Sequence, residues 1–130
     1  MINERRTKYT QAVKDYLALE GHATNLQILN ELHLSYMELS ATTIHRITTR
    51  LVDRGELSIG PSAMDHSQRF DINLKPHDHF HCTQCDRLRD VVLSAETFKS
   101  IQNSVVDCKL NGRLTIQGIC NKCINNKEKL

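Results

Sequence analysis

Four of the five cysteines fall into two pairs of identical spacing, Cys82-Thr83-Gln84-Cys85 and Cys120-Asn121-Lys122-Cys123. A Cys-x-x-Cys turn sets two thiolates side by side. Two such turns supply the four-sulfur tetrahedron that zinc prefers, with no position left open for a substrate. The spacing therefore predicts a structural zinc site rather than a catalytic one, with a redox dithiol or unrelated cysteines as the alternatives. Cys108 has no partner at this spacing and is expected to act as a small buried apolar residue.

Just before the first pair runs His77-Asp78-His79-Phe80-His81. In an extended segment alternate residues share a face, so the three imidazoles line up and Asp78 turns away. Such a row suits a divalent transition metal, although a polar strand edge is a plainer reading. Asp71 precedes the row, Asp90 follows it, and His22 could reach in from the first half of the chain. Together His22, Asp71, His77, His79 and Asp90 would make a mixed nitrogen–oxygen set that suits iron(II) or manganese(II) better than a thiolate cage does, although their spacing alone does not bring the five to one point. An open coordination position beside a carboxylate would also permit metal-assisted hydrolysis. No His-Glu-x-x-His motif or Gly-rich loop accompanies the cluster, so an enzyme is not expected.

These residues need elements to hold them. Lys8 to Glu20 carries Ala12, Val13, Tyr16, Leu17 and Leu19 at helical spacing and stops at Gly21. Thr24 can cap a second helix that buries Leu26, Ile28, Leu29 and Leu32, and Ser40 a third that runs to Arg54 and closes at Gly55. Glu56–Ile59 and Gln68–Ile72 read as a hairpin around a polar loop. Three helices and a hairpin is the order of a winged helix. Ile44, Ile47 and Leu51 form the inward stripe of the third helix, and Thr42, Thr43, His45, Arg46, Thr49 and Arg50 face outward. Hydroxyl and guanidinium groups on one helical face can meet phosphates and base edges in a major groove; a merely solvated face is the alternative.

Leu74-Lys75-Pro76 reads as a hinge. Beyond it come strands at His79–Cys82 and Leu88–Leu93, then a helix from Ala95 to about Val106 with Phe98, Ile101 and Val105 on one side. A strand at Arg113–Ile119 and a frayed tail, Asn125–Leu130, complete the chain. This half is short enough to need a metal staple or a partner chain. A passive zinc-ribbon module would leave the winged-helix pattern and His22 unexplained.

The composition excludes more than it asserts. Across 130 residues, 39% of them hydrophobic, no apolar run has the ~18 residues of a membrane span. The N-terminal stretch lacks the apolar core of a secretory signal, which points to the cytoplasm and reduced thiols. A net charge of +2 argues neither for nor against nucleic acid, so any such case rests on where the charges sit.

Taken together, Gly21-His22-Ala23-Thr24, Ala41-Thr42-Thr43-Ile44-His45-Arg46, His77-Asp78-His79 and both cysteine pairs resemble the ferric uptake regulator family of bacterial metal-dependent repressors, over nearly the full length. The resemblance implies an α+β chain: a winged helix-turn-helix DNA-binding domain at 1–73 and a small α/β dimerisation domain with structural zinc at 74–130. It also implies a homodimer on palindromic double-stranded operators, closed into its DNA-binding shape by metal. Within the family the chain is most similar to the peroxide-sensing branch, whose three histidines and two aspartates correspond to His22, Asp71, His77, His79 and Asp90. In that branch peroxide is the signal, and His22 and His77 correspond to its oxidation targets. The rival within the fold is a reversible iron, manganese or zinc uptake regulator. Pro76 and Gly112 stand where a second sensing site would carry histidines, and His45 stands where the family usually has tyrosine.

Overall fold

The computed structural model describes residues 4–110 and 113–128. The chain divides into two units, Met1–Leu74 and Lys75–Leu130. No helix among the described residues is long and apolar enough to cross a membrane.

The first unit contains α1 (Glu4–Glu20), β1 (His22–Thr24), α2 (Asn25–Leu32), α3 (Ala41–Asp53), β2 (Ser58–Gly60) and β3 (Arg69–Asp71). Tyr9, Val13 and Leu17 recur every four residues along α1 and pack with Ile28 and Leu32 of α2, Ile44, Ile47 and Leu51 of α3, and Phe70 of β3. Gly21 ends α1 with φ of 85°, a left-handed turn that costs glycine little, and its N–H donates to Leu17 O at 2.7 Å. Thr24 then caps α2 reciprocally. Its hydroxyl accepts from Gln27 N at 3.2 Å, and its own N–H donates to Gln27 Oε1 at 2.9 Å.

Two apolar residues expected on the helical stripes lie outside them. Leu26 is 60% exposed because, at about 100° per residue, it sits roughly 110° around α2 from the stripe of Ile28, Leu29 and Leu32. Leu19 is off the α1 stripe in the same way and is exposed. The third helix follows its sequence pattern closely: Ser40 accepts from Thr43 N at 3.1 Å at its start, and Gly55 leaves its end with φ of 72°.

A strand absent from the sequence reading completes this unit. β1 pairs antiparallel with β3, which pairs with β2, giving the order β1-β3-β2. Three residues between a helix stop and a helix cap are too few to display a period of two. The wing between β2 and β3 is held by the buried Arg69, whose guanidinium donates to Ser62 O at 3.0 Å.

The second unit contains β4 (Asp78–Cys82), β5 (Leu88–Val91), α4 (Ala95–Ser104), β6 (Thr115–Gly118) and α5 (Asn121–Glu128). Its sheet has the order β5-β4-β6, with β4 antiparallel to β5 and parallel to β6. The sheet is thinly covered. No residue of α4 is buried, Phe98 and Ile101 are half-buried, and Val105 falls beyond the helix end in an extended conformation. Cys108 is exposed rather than buried. It lies in a surface segment bridged by Gln102, which donates to Cys108 O at 2.7 Å and accepts from Leu110 N at 2.6 Å. The expected frayed tail is helical as far as Glu128 in α5, and its last two residues lie outside the described ones. α5 has little apolar periodicity; Cys120 precedes it and Cys123 sits in its first turn.

Candidate metal centres and recognition face

The four paired cysteines meet at one end of the second unit. β4 ends at Cys82 and turns back through Cys85 to β5, while Cys120 and Cys123 lie at the start of α5. One Sγ from each lies within 4.8 Å of the others. Cys82 and Cys123 are 3.8 Å apart, and Cys85 and Cys120 are 3.9 Å apart. A tetrahedron with metal–sulfur bonds of ~2.3 Å has edges of ~3.8 Å, so the cage fits zinc, whereas a disulfide requires far closer sulfurs. Backbone N–H groups of Cys120 and Cys85 point at Cys82 Sγ at 3.4 and 3.5 Å. They hold the Cys82 thiol down to about 6, in that order of importance. Cys123 is pushed up to about 12, first by its hydrogen bond with the Cys120 side chain and then by burial and the other two sulfurs. A second negative charge cannot enter this cage cheaply without a cation.

The histidine and aspartate ligand candidates form a group within each unit. In the first, β-pairing sets His22 opposite Asp71, with Nε2 3.5 Å from Oδ2 and both side chains buried. The other Asp71 oxygen accepts from Asn73 N at 2.8 Å, which fixes the carboxylate. In the second unit His79 is paired with Asp90 across β4 and β5. Asp90 Oδ1 lies 3.3 Å from His77 Nε2 and 3.5 Å from His79 Nε2, and the two rings pack edge-to-face with centroids 4.5 Å apart. His77 Nδ1 is 2.6 Å from Lys75 O. A carbonyl can only accept, so Nδ1 carries the proton and Nε2 offers its lone pair on the Asp90 side. His81 does not join this group, although it shares the alternation of β4. Its Nε2 is 2.6 Å from Asp86 Oδ1, in the turn that carries Cys85.

On α3, Thr42, His45, Arg46 and Thr49 are exposed, and Thr43 and Arg50 half-buried, opposite the buried Ile44, Ile47 and Leu51. Sequence reasoning passed over Thr48 and Asn25. Thr48 is fully buried and 2.9 Å from Asn25 Oδ1; Asn25, the first residue of α2, places its Nδ2 3.5 Å from His45 Nδ1. Only the polar character of Asn25 and Thr48 hinted at this, because the pair joins two helices.

A sequence model described as the Ferric uptake regulator family matches residues 2–111. The chain belongs to that family. It is therefore a metal-responsive, DNA-binding regulator, and the winged helix and the four-cysteine cage are consistent with that family. The peroxide-responsive repressor PerR of Staphylococcus aureus is 29% identical over 125 residues, covering 92% of this chain and 82% of that one. The Helicobacter pylori ferric uptake regulator Fur shares the fold with a TM-score of 0.71 at 22% identity, over 95% of this chain and 83% of that one. A zinc-bound manganese uptake regulator superposes with a TM-score of 0.70 at 16% identity, over 92% and 90%.

Proposed function

We propose that this family member is a homodimeric transcriptional repressor whose grip on a palindromic operator is gated by iron(II) or manganese(II), and that peroxide is its signal. Zinc at Cys82, Cys85, Cys120 and Cys123 would hold the second unit together. His22, Asp71, His77, His79 and Asp90 would share the regulatory ion, two donors from before the linker and three from after it. The observation that carries this reading is the preparation of both donor groups. Asp71 is held by Asn73, and His77 has its tautomer set by Lys75. Five residues, Ile72 to Pro76, separate Asp71 from His77, so the linker can span at most about 20 Å.

The gating is linkage. A DNA-binding arrangement in which the two donor groups share one ion is populated in proportion to occupancy. Turning a mostly open population into a mostly closed one requires about 5 kcal/mol of differential binding. Thr42, Thr43, His45, Arg46, Thr49 and Arg50 would meet the duplex. Homodimerisation through the second unit is supported by its exposed apolar side chains, among them Val92, Val106 and Ile116.

Iron(II), when bound, supplies one-electron chemistry toward peroxide that manganese(II) does not match. His22 and His77 would be the imidazoles that gain oxygen, so the donor set is lost and DNA is released. The likeness to a peroxide-responsive repressor and the two aspartates in the set support this over reversible sensing. Likeness to iron and manganese regulators favours the second reading, a reversible metal sensor in the same fold. Mass analysis of peptides from iron-loaded protein treated with peroxide separates the two. A one-oxygen gain on the His22 or His77 peptide, with loss of operator binding, is expected. Unmodified peptides with DNA retained would leave the reversible sensor standing.

A further inference from the structure

The outward face of α3 carries one imidazole whose orientation the fold itself prepares. Thr48 is wholly buried, and of the three acceptors its single hydroxyl proton can reach, Asn25 Oδ1 at 2.9 Å is nearer than Ile44 O or His45 O, each at 3.2 Å. That contact turns the amide so that Nδ2 faces His45 Nδ1 at 3.5 Å, the outer limit of hydrogen-bond distance. An amide NH2 only donates. The His45 nitrogen facing it must accept, so the ring proton resides on Nε2, the nitrogen directed away from Asn25. From this chain of contacts we infer that Asn25 is a specificity-positioning residue, which presents His45 to the major groove as an Nε2–H donor and so selects a base that offers an acceptor there.

The inference rests on the DNA-binding reading of α3 and adds a direction to it. Guanine presents N7 and O6 in the major groove, adenine N7 and thymine O4, whereas cytosine presents only a donor. His45 in this tautomer favours these three over cytosine at the base it faces. Arg46 and Arg50 do not depend on Asn25 and supply attraction to phosphate whichever base is there. Asn25 should therefore influence which sequence is bound rather than whether DNA is bound.

Removal of the amide should spare the fold. In Asn25→Ala the Thr48 hydroxyl still has Ile44 O, at 3.2 Å, as acceptor. Thr48→Val approaches the same question from the other side, since it removes the group that orients Asn25. The test uses the full-length, metal-loaded protein in two experiments. First, imidazole nitrogen-15 shifts, assigned with His45→Gln, report the His45 tautomer without DNA. Wild type should show a protonated Nε2 and a bare Nδ1, and Asn25→Ala and Thr48→Val a mixture. A wild-type Nδ1–H tautomer, or identical spectra in all three, would overturn the inference. Second, duplexes selected from a randomised pool with manganese-loaded protein report base preference. Both variants should lose about fivefold preference at one symmetric pair of positions, as expected for one base-edge hydrogen bond, with an unchanged salt slope on random duplex. Equal preference at every position in all three proteins overturns the inference alone. Absence of sequence-selective binding by wild type defeats the DNA-binding reading of α3 and this inference with it.

Discussion

Cys82 and Cys123 sit in one sulfur cage yet hold their protons very differently, and the difference has a consequence for metal loading. Two backbone N–H groups keep Cys82 a thiolate down to about pH 6, whereas Cys123, raised to about 12, remains a thiol at neutral pH. Zinc uptake must displace the Cys123 proton, so loading is expected to acidify an unbuffered solution. Proton competition thus already acts at Cys123 at neutral pH, and Cys82 adds to it as pH falls through about 6, where retention against a chelator should weaken more steeply. Competition titrations at several pH values check this; pH-independent retention would contradict it. Cys82→Ser and Cys123→Ser should lose zinc and leave the chain unfolded or monomeric, as circular dichroism and sedimentation would report. On the recognition face, Arg46→Ala should weaken operator binding strongly across a salt titration, while His45→Ala should alter base preference more than affinity. The cysteine cage was legible because its information is local, two residues between ligands. Asn25 and Thr48 were not, because their meaning lies in a contact between helices far apart in sequence. The expected burial of Cys108 failed for a related reason: a lone cysteine carries no local signal of where the interior is.

Helices α2 and α3 were readable from caps and apolar spacing, because both are properties of a few neighbouring residues. The capping box that starts α2 has a measurable weight. Thr24→Ala should cost about 1 kcal/mol and lower the melting temperature of the first unit by several degrees. An unchanged thermal or urea transition would show that β1 alone fixes the start of α2. The short strands were harder to read. β1 has three residues and no visible period, yet its pairing with β3 brings His22 against Asp71. β4 and β5 had a clearer pattern, and their register sets His79 beside Asp90. α5 escaped notice because it is polar and has little apolar periodicity.

At the scale of the whole molecule, the proposed gate draws its nitrogen and oxygen donors from both the winged helix and the sheet that follows it. His22 belongs to the first unit, while His77, His79 and Asp90 belong to the second. An ion held by the second group alone would have no leverage on the winged helix. Asp71→Glu and Asp90→Glu, which move each carboxylate by one methylene, should keep repression but slow peroxide inactivation of the iron-loaded protein, followed by operator release over time. The most direct test of metal gating is a manganese titration of operator binding by fluorescence anisotropy, with wild type beside His22→Ala. Wild type should gain affinity steeply with manganese. The variant should keep its zinc, its fold and its dimer, yet bind weakly at every manganese concentration. A variant that gains affinity in parallel with wild type would contradict gating through His22.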